Sequence, residues 1–117
     1  MGNELDNVIT GNAIGNVLLG GAGNDTLDGG AGQDILYGQA GSDTFLIRKG
    51  TGMDTIAEFT PGIDRLDVRD YGFKTTVALM SRMTQVGSDI SVDLGGGDSL
   101  ILMGVKITNL GELEFVV

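Results

Sequence analysis

Side chains that carry oxygen recur at nine-residue intervals through the first third of the sequence. Asn7, Asn16, Asp25, Asp34 and Asp43 follow one another at this spacing. Each of them ends a segment that contains glycine, and glycine lets the backbone bring its carbonyl groups close to a bound ion. Carboxylate, amide and carbonyl oxygens, about six to eight per ion, are the ligands that Ca²⁺ prefers in proteins. The spacing therefore predicts a row of calcium sites built from side-chain and backbone oxygens.

These residues occupy the sixth position of a nine-residue repeat that begins at Gly2. Five copies follow one another over residues 2–46, and each copy opens with glycine. The eighth position always carries a large apolar side chain, namely Ile9, Leu18, Leu27, Leu36 or Phe45. The last three residues of each copy favour a very short strand with that side chain pointing inward. Alternating turns and strands predict an all-β solenoid in which two repeats complete one coil.

A coil of two repeats stacks residues that lie 18 positions apart. Asn7 then faces Asp25, Asn16 faces Asp34, and Asp25 faces Asp43. Successive carbonyl groups of an extended turn point to opposite sides, so one turn can offer oxygens to two neighbouring ions. Stacked carboxylates repel one another when no cation lies between them. We therefore expect metal binding to supply folding free energy.

The repeat resembles the nonapeptide G-G-x-G-x-D-x-U-x, with U large and apolar, of the repeats-in-toxin (RTX) family of secreted bacterial proteins. Residues 20–28 and 29–37 match it at every defined position, and residues 38–46 depart from it only at Gln39. The resemblance implies a right-handed parallel β-roll that holds about three or more calcium ions. It implies metal roles for Asp25, Asp34 and Asp43. It extends these roles to the backbone carbonyls of the turn residues Gly20, Gly21, Ala22, Gly23, Asn24, Gly29, Gly30, Ala31, Gly32, Gln33, Gly38, Gln39, Ala40, Gly41 and Ser42.

The first two copies of the repeat depart from the family pattern. Leu5 and Ile14 stand where the later copies have glycine, and Asn7 and Asn16 stand in place of aspartate. We expect both copies to coil, with calcium sites at Asn7 and Asn16 that are weak or empty.

The core of the motif returns after the nine-residue period breaks. Gly52 and Asp54 repeat the G-x-D unit, and Asp64 follows ten residues later. Asp54 lies 20 residues beyond Asp34 and Asp64 lies 21 beyond Asp43, so short insertions would place both on the same stacks. The stretch also resembles one that follows the repeats of RTX metalloproteases and lipases. We predict metal roles for Gly52, Asp54 and Asp64, with a solvated surface acid as the alternative for Asp64. Asp67 is predicted to be a structural hydrogen-bond acceptor.

The second half of the chain has no repeat and is predicted to cap the solenoid. Residues 75–85 place Val77, Met80 and Met83 at helical spacing, which predicts a short helix that packs on the roll. Alternating apolar residues on both sides of a triple glycine at 95–97 predict a β-hairpin. The three methionines between 80 and 103 are expected to fill the core. We divide the chain into a roll, residues 1–64, and a cap, residues 65–117, that form one cooperative domain.

Composition excludes several classes of protein. The 117 residues include 16 acidic and 7 basic ones, for a net charge of -9, with 21 glycines and neither Cys nor His. Disulfides, Cys/His zinc sites and His-based catalysis are therefore absent from this chain. All basic residues follow position 47, which argues against nucleic-acid binding and against attraction to an anionic membrane. No apolar run is long enough to span a bilayer, and no N-terminal signal peptide is recognisable.

These observations predict a calcium-binding module that is not itself an enzyme and that forms part of a larger exported protein. Residues 112–117 end in an acidic residue followed by apolar ones and resemble the C-terminal signal that RTX metalloproteases present to type I secretion machinery. The resemblance implies that the repeats stay unfolded inside the cell and fold on binding calcium outside it. The alternative is an accessory module that binds an extracellular polysaccharide for an attached enzyme.

Overall fold

The short strands predicted at the end of each repeat are present in the structure. The structure is a computed structural model that describes residues 6–11, 15–60, 63–110 and 115–116. The first seven strands belong to the repeats and their continuation: β1 Val8–Thr10, β2 Val17–Leu19, β3 Thr26–Asp28, β4 Ile35–Tyr37, β5 Thr44–Leu46, β6 Met53–Ile56 and β7 Arg65–Asp67. Each strand is three or four residues long because a turn follows at once.

Successive strands alternate between two sheets. One sheet has the strand order β1-β3-β5-β7, and the other has the order β2-β4-β6, with parallel pairing throughout these strands. In register, Leu27 lies opposite Phe45 and Leu18 lies opposite Leu36, each pair 18 residues apart. Two repeats therefore make one coil. The all-β parallel roll predicted from the sequence is confirmed.

The eighth position of the repeat forms the interior of the roll. Leu27, Leu36 and Phe45 are fully buried between the two sheets, and Leu18 is nearly so. Ile56 and Leu66 continue the two rows beyond the regular repeats. Burial of a side chain of this size contributes about 1.5–3 kcal/mol, so a thin core of one residue per strand still holds successive coils together.

The second half of the chain continues both sheets. Its elements are α1 Thr76–Met80, β8 Met83–Val86, β9 Asp89–Gly95, β10 Asp98–Leu102 and β11 Phe115–Val116, with 3-10 turns at Arg69–Tyr71 and Ile107–Asn109. The predicted hairpin is confirmed: β9 and β10 pair antiparallel, and β10 pairs parallel with β6. Strand β11 pairs parallel with β7, so each sheet gains strands at its C-terminal end.

The helix predicted over 75–85 is shorter than expected, and the side chain that it buries is not one of those predicted to face the roll. Thr75 caps it by accepting a hydrogen bond from the Ala78 N–H, and the helix ends at Met80. Met83 instead begins β8 opposite Val92, because pairing with β9 overrides the helical spacing. Leu79 is fully buried, whereas Val77 is 69% exposed.

The methionine prediction holds only in part. Met83 is buried and Met80 packs against the core, but Met103 is 45% exposed.

No helix among the described residues has the length and apolar character that a membrane crossing requires.

Candidate metal centre

Hydrogen bonds between coils line up the oxygen-bearing residues in two rows. In each row a backbone N–H donates to Oδ1 of the aspartate one coil further along the chain. We call these rows the aspartate ladders. The first consists of Asn7, Asp25, Asp43 and Asp64, with donor–acceptor distances of 2.8, 2.9 and 2.9 Å. The second consists of Asn16, Asp34 and Asp54, with distances of 2.8 and 3.0 Å. The stacking predicted from the 18-, 20- and 21-residue spacings is therefore observed.

Three of these aspartates have one carboxylate oxygen with no hydrogen-bond partner. Asp25, Asp34 and Asp43 are each 1% exposed, and Oδ2 of each is buried and unpaired. A buried polar atom left without a partner costs about 1–3 kcal/mol, and more when it is charged. A cation or a proton would satisfy such an oxygen. Asp25, Asp34 and Asp43 are therefore three candidate positions for an ion.

The first residues of two repeats, Gly11 and Gly20, lie where oxygens from two coils converge. A Cβ atom added to Gly20 would lie 2.7 Å from the Gly38 carbonyl oxygen and 2.9 Å from Oδ2 of Asp25. The carbonyl belongs to the following coil and the carboxylate to the same repeat. Calcium–oxygen distances are about 2.3–2.6 Å, so these two oxygens border a space of the right scale for this ion.

The same convergence occurs at an earlier repeat. At Gly11 an added Cβ would lie 2.5 Å from the side-chain oxygen of Asn16 and would also contact the Gly29 carbonyl oxygen. Asn16 thus occupies the position that aspartate holds in the later repeats, and its amide is a weaker ligand because it carries no charge.

The turns depend on backbone conformations that glycine adopts easily. Gly21, Gly23, Gly30 and Gly32 have φ between 77° and 94°. Gln39 occupies the equivalent of Gly21 and Gly30 with φ 67°, and it is the one non-glycine residue with positive φ in the described part of the chain. Its side-chain Oε1 accepts a 2.9 Å hydrogen bond from the Gly21 N–H of the preceding coil. This bond offsets part of the backbone strain at Gln39, the single position where residues 38–46 depart from the family pattern.

A further row of side chains stacks beside the first ladder. Oδ1 of Asp6 accepts a 2.7 Å hydrogen bond from the Asn24 N–H, and Oδ1 of Asn24 accepts a 2.8 Å bond from the Ser42 N–H. The side-chain oxygens of Asp6 and Asn24 therefore join coils through the backbone. The backbone carbonyls of Asn24 and Ser42, for which the family resemblance implied metal roles, take no part in these bonds.

The two aspartates at the C-terminal ends of the ladders differ from the other three. Asp54 and Asp64 are each 2% exposed, yet both of their oxygens accept hydrogen bonds. Oδ2 of Asp64 accepts a 2.8 Å bond from the Thr60 N–H, and Oδ2 of Asp54 contacts the Thr51 hydroxyl. The structure thus places both residues on the predicted stacks without an unpaired oxygen.

Burial shifts the acidity of the ladder carboxylates. It raises the pKa of Asp43 and that of Asp54 to about 6, and it raises the pKa of Asp34 and of Asp64 above the ordinary value. In each case removal of the carboxylate from water is the largest cause, and it outweighs the backbone N–H groups that favour the charged form. In the metal-free chain Asp43 and Asp54 therefore take up protons as pH falls through about 6, and a bound cation would compete with these protons.

Asp67 is a structural acceptor, as predicted. It accepts hydrogen bonds from the backbone and guanidinium of Arg69, including a 2.9 Å ion pair. Burial acts to raise the pKa of Asp67, but the bonds and positive charge of Arg69 outweigh it, so the pKa is lowered.

Sequence reasoning missed Asp98, which joins the second half of the chain to the last turn of the roll. Its carboxylate accepts bonds of 2.8 Å from the Gly50 N–H, 3.0 Å from the Gly52 N–H and 2.8 Å from the Tyr71 hydroxyl. Burial acts to raise the pKa of Asp98, but these donors lower it overall. No local pattern could have indicated this contact, because only the pairing of β10 with β6 brings Asp98 to that turn.

Among the described residues, carboxylates alone do not form a metal cluster, because no three Asp or Glu side chains come together at one point. An ion bound between the coils would therefore need the backbone carbonyls of the turns as well as the ladder. Oxygen donors of this kind, without nitrogen or sulfur, match Ca²⁺.

Stacked short strands and oxygen-lined turns define a parallel β-roll with candidate calcium sites between its coils. Residues 10–45 match the family model of the RTX calcium-binding nonapeptide repeat in four copies. This segment is therefore an array of RTX calcium-binding repeats, as the sequence predicted, and such repeats are a non-catalytic module. A comparison with curated proteins found no match.

Two solved structures resemble nearly the whole chain. The extracellular lipase LipA from Serratia marcescens is 26% identical with a TM-score of 0.67, over 97% of this chain and 20% of the lipase chain. The AlgE6R3 subunit of the mannuronan C5-epimerase from Azotobacter vinelandii is 29% identical with a TM-score of 0.61, over 99% of this chain and 80% of that subunit. The fold is thus an RTX β-roll, and this chain spans about a fifth of the length of the lipase.

Proposed function

We propose that this chain is a calcium-triggered folding module. The unpaired, buried Oδ2 atoms of Asp25, Asp34 and Asp43 are the observation that carries the proposal. Calcium at these atoms, completed by the backbone carbonyls of the turns, removes the repulsion between stacked carboxylates. Because those turns are formed only when the coils are stacked, ion binding and folding occur together.

A calcium titration followed by far-UV circular dichroism tests this proposal. We expect the β signal to be weak in chelator, to rise with calcium, and to stay weak with magnesium at the same concentration. A variant with Asn at positions 25, 34 and 43 should lose the response. Asp93→Asn is a matched control, because it also removes an acidic charge but lies on an exposed strand position. A chain that is equally folded in chelator and in calcium contradicts the proposal.

Export by a type I route and folding outside the cell form the second part of the proposal. The RTX repeats and the likeness to an extracellular lipase support an extracellular location. The predicted signal falls largely outside the described residues, which include Phe115–Val116 but neither 111–114 nor 117. Deletion of residues 114–117 should stop export of a reporter protein fused upstream. The purified chain should still bind calcium, although at a higher calcium concentration because the buried Phe115 is lost, and this binding separates loss of the signal from loss of the site.

The chain is proposed to act as the calcium-binding part of a longer exported enzyme or toxin and not to catalyse a reaction itself. Within it, residues 1–64 form the roll and residues 65–117 the cap, as one cooperative domain. A single continuous core from Leu18 to Phe115 supports the proposal that the two parts unfold together, and β7 at the start of the cap continues the first sheet of the roll. Thermal unfolding in saturating calcium should show one transition, and two separate transitions would contradict it.

A groove beside Lys49 supports polysaccharide binding as a second candidate function. Two adjoining cavities of about 400 and 420 Å³ share Lys49 and Gly50; Arg48 lines one of them and Tyr71 the other. The lining also includes Asp28, which pairs with Arg48 at 3.1 Å, and Asp98, which accepts from the Tyr71 hydroxyl, so Lys49 is the charge left to attract an acidic sugar polymer. The similar AlgE6R3 subunit belongs to an epimerase of mannuronan. Affinity electrophoresis in polymannuronate should show retardation that Lys49→Ala abolishes. Unchanged mobility of the wild-type protein contradicts this candidate while leaving the calcium proposal intact.

A further inference from the structure

The aspartate that ends each ladder differs from the aspartates before it in the hydrogen bonding of its Oδ2 atom. In Asp25, Asp34 and Asp43, Oδ2 is buried without a hydrogen-bond partner. In Asp54 and Asp64, which end the two ladders, the same atom already has a donor from the protein. The need for a cation is therefore confined to the first three of these five carboxylates.

The hydroxyl of Thr51 supplies the donor at the end of the second ladder. Thr51 is 3% exposed; its Oγ1 lies 3.0 Å from the Gly30 carbonyl oxygen and contacts Oδ2 of Asp54. The carbonyl belongs to the preceding coil and the carboxylate to the coil of Thr51 itself. A hydroxyl group has one hydrogen; donated to the carboxylate, it gives Oδ2 of Asp54 the partner that the same atom lacks in the regular repeats.

The hydroxyl is specific to this turn. When Gly52-x-Asp54 is aligned with the repeats, Thr51 falls on the third position, where the regular copies have Ala22, Ala31 and Ala40. The alanine side chain has no group that can donate to the aspartate of its own repeat. The three alanine-containing copies are the same ones in which Oδ2 lacks a partner.

Contacts from the second half of the chain hold Thr51 in place. The carboxylate of Asp98, which is 8% exposed, accepts hydrogen bonds from Gly50 N–H and Gly52 N–H, the residues on either side of Thr51. The turn that carries the hydroxyl is thereby fixed against β10. At the end of the first ladder, the backbone N–H of Thr60 has the equivalent role toward Asp64.

We propose that hydrogen bonds, and not calcium ions, terminate both aspartate ladders, with the Thr51 hydroxyl taking the place of an ion at Asp54. This inference rests on the proposed calcium binding and narrows it: Asp25, Asp34 and Asp43 are ligands, whereas Asp54 and Asp64 are not. It revises the metal roles that the sequence predicted for these last two residues.

Counting bound calcium by equilibrium dialysis tests the inference. Asp54→Asn should bind the same number of ions as the wild-type chain, whereas Asp43→Asn should bind at least one fewer. Thr51→Ala should bind one ion more, because Oδ2 of Asp54 is then left unpaired as in the regular repeats. Thr51→Ser keeps the hydroxyl and should bind the wild-type number.

The outcomes distinguish failure of this inference from failure of the calcium-binding proposal on which it rests. A wild-type chain that binds no calcium overturns both. A wild-type chain that binds calcium, together with a lost ion in Asp54→Asn or an unchanged number in Thr51→Ala, overturns the inference alone. If Asp54→Asn does not fold in saturating calcium, the inference is tested by the ion counts of Thr51→Ala and Thr51→Ser. Equal counts in these two variants overturn it.

Discussion

Asp43 accepts a 2.9 Å hydrogen bond from the Asp25 N–H through Oδ1, while its Oδ2 remains buried and unpaired. The first oxygen sets the register between two coils, and the second is available to an ion. One side chain would thus combine an observed structural role with the proposed binding role. Calcium affinity and stability of the roll should therefore change together in variants of the ladder, which is the basis of the predictions below.

Gly20→Ala should weaken calcium binding by crowding. The added methyl carbon would lie 2.7 Å from the Gly38 carbonyl oxygen and 2.9 Å from Oδ2 of Asp25, in the space where these oxygens converge. Loss of about 1.4 kcal/mol at this site would lower its calcium affinity about tenfold. The calcium concentration at the folding midpoint would rise by a smaller factor, because several ions bind as the chain folds. Calcium titration by circular dichroism measures this midpoint.

A matched glycine variant shows whether crowding is the cause. Gly87→Ala adds a methyl group in an exposed turn with nothing within 4 Å and φ of 62°. It should lower thermal stability through backbone strain but leave the number of bound ions unchanged. Any rise in its calcium midpoint should be no larger than its loss of stability explains. Equal midpoints for Gly20→Ala and the wild-type chain would show that no ion lies beside Gly20.

The ladders were predictable from sequence to the extent that spacing determines stacking. The pairs Asn7–Asp25 and Asp25–Asp43 follow from the coil length, and even the irregular step from Asp43 to Asp64 was recovered. The donors on Asp54 and Asp64 were not predictable, because Thr51 directly follows one insertion and Thr60 lies in another, and no repeat specifies the backbone course of either insertion. The helix was predicted too long for a related reason: strand pairing of Met83 with Val92 is a long-range contact that local spacing does not report.

Acid should stabilise the metal-free roll. The pKa of Asp43 is about 6 in the folded chain and 3.8 in its ordinary state, so the folded chain binds protons more tightly than the unfolded one. Between these values stability falls as pH rises, because the buried carboxylate must ionise. In calcium-stripped buffer, circular dichroism should therefore show more β structure at pH 5 than at pH 7.

The opposite pH dependence should appear when calcium is present. Protons compete with calcium for the same Oδ2 atoms, so the apparent calcium affinity should decrease as pH falls through about 6. Isothermal titration calorimetry at several pH values measures this affinity and the protons released. An affinity that does not change between pH 7 and pH 5 would argue against these carboxylates as ligands.

Substitutions at Gln39 should separate backbone strain from hydrogen bonding. Its positive φ costs about 1–3 kcal/mol for a residue other than glycine, and its side chain offsets part of this by accepting from Gly21 N–H. Gln39→Gly removes both effects and should stay within about 1 kcal/mol of the wild-type stability. Gln39→Ala keeps the strain without the bond and should be less stable than either by about 1 kcal/mol. Thermal unfolding in saturating calcium gives the order, and an alanine variant as stable as the glycine variant would contradict this account.

Calcium should protect the C-terminal strand from proteolysis. Phe115 is 7% exposed and pairs with Leu66, and the Val116 carbonyl accepts a 3.0 Å hydrogen bond from the Val68 N–H. If calcium drives folding of the roll, this strand is free before calcium binds and paired afterwards. Carboxypeptidase Y should remove residues 115–116 rapidly in chelator or in magnesium, and slowly in calcium, as followed by mass spectrometry. The variant with Asn at positions 25, 34 and 43 should be digested at the fast rate under all three conditions. Digestion of the wild-type chain at one rate, whichever ion is present, would show that the strand docks independently of calcium.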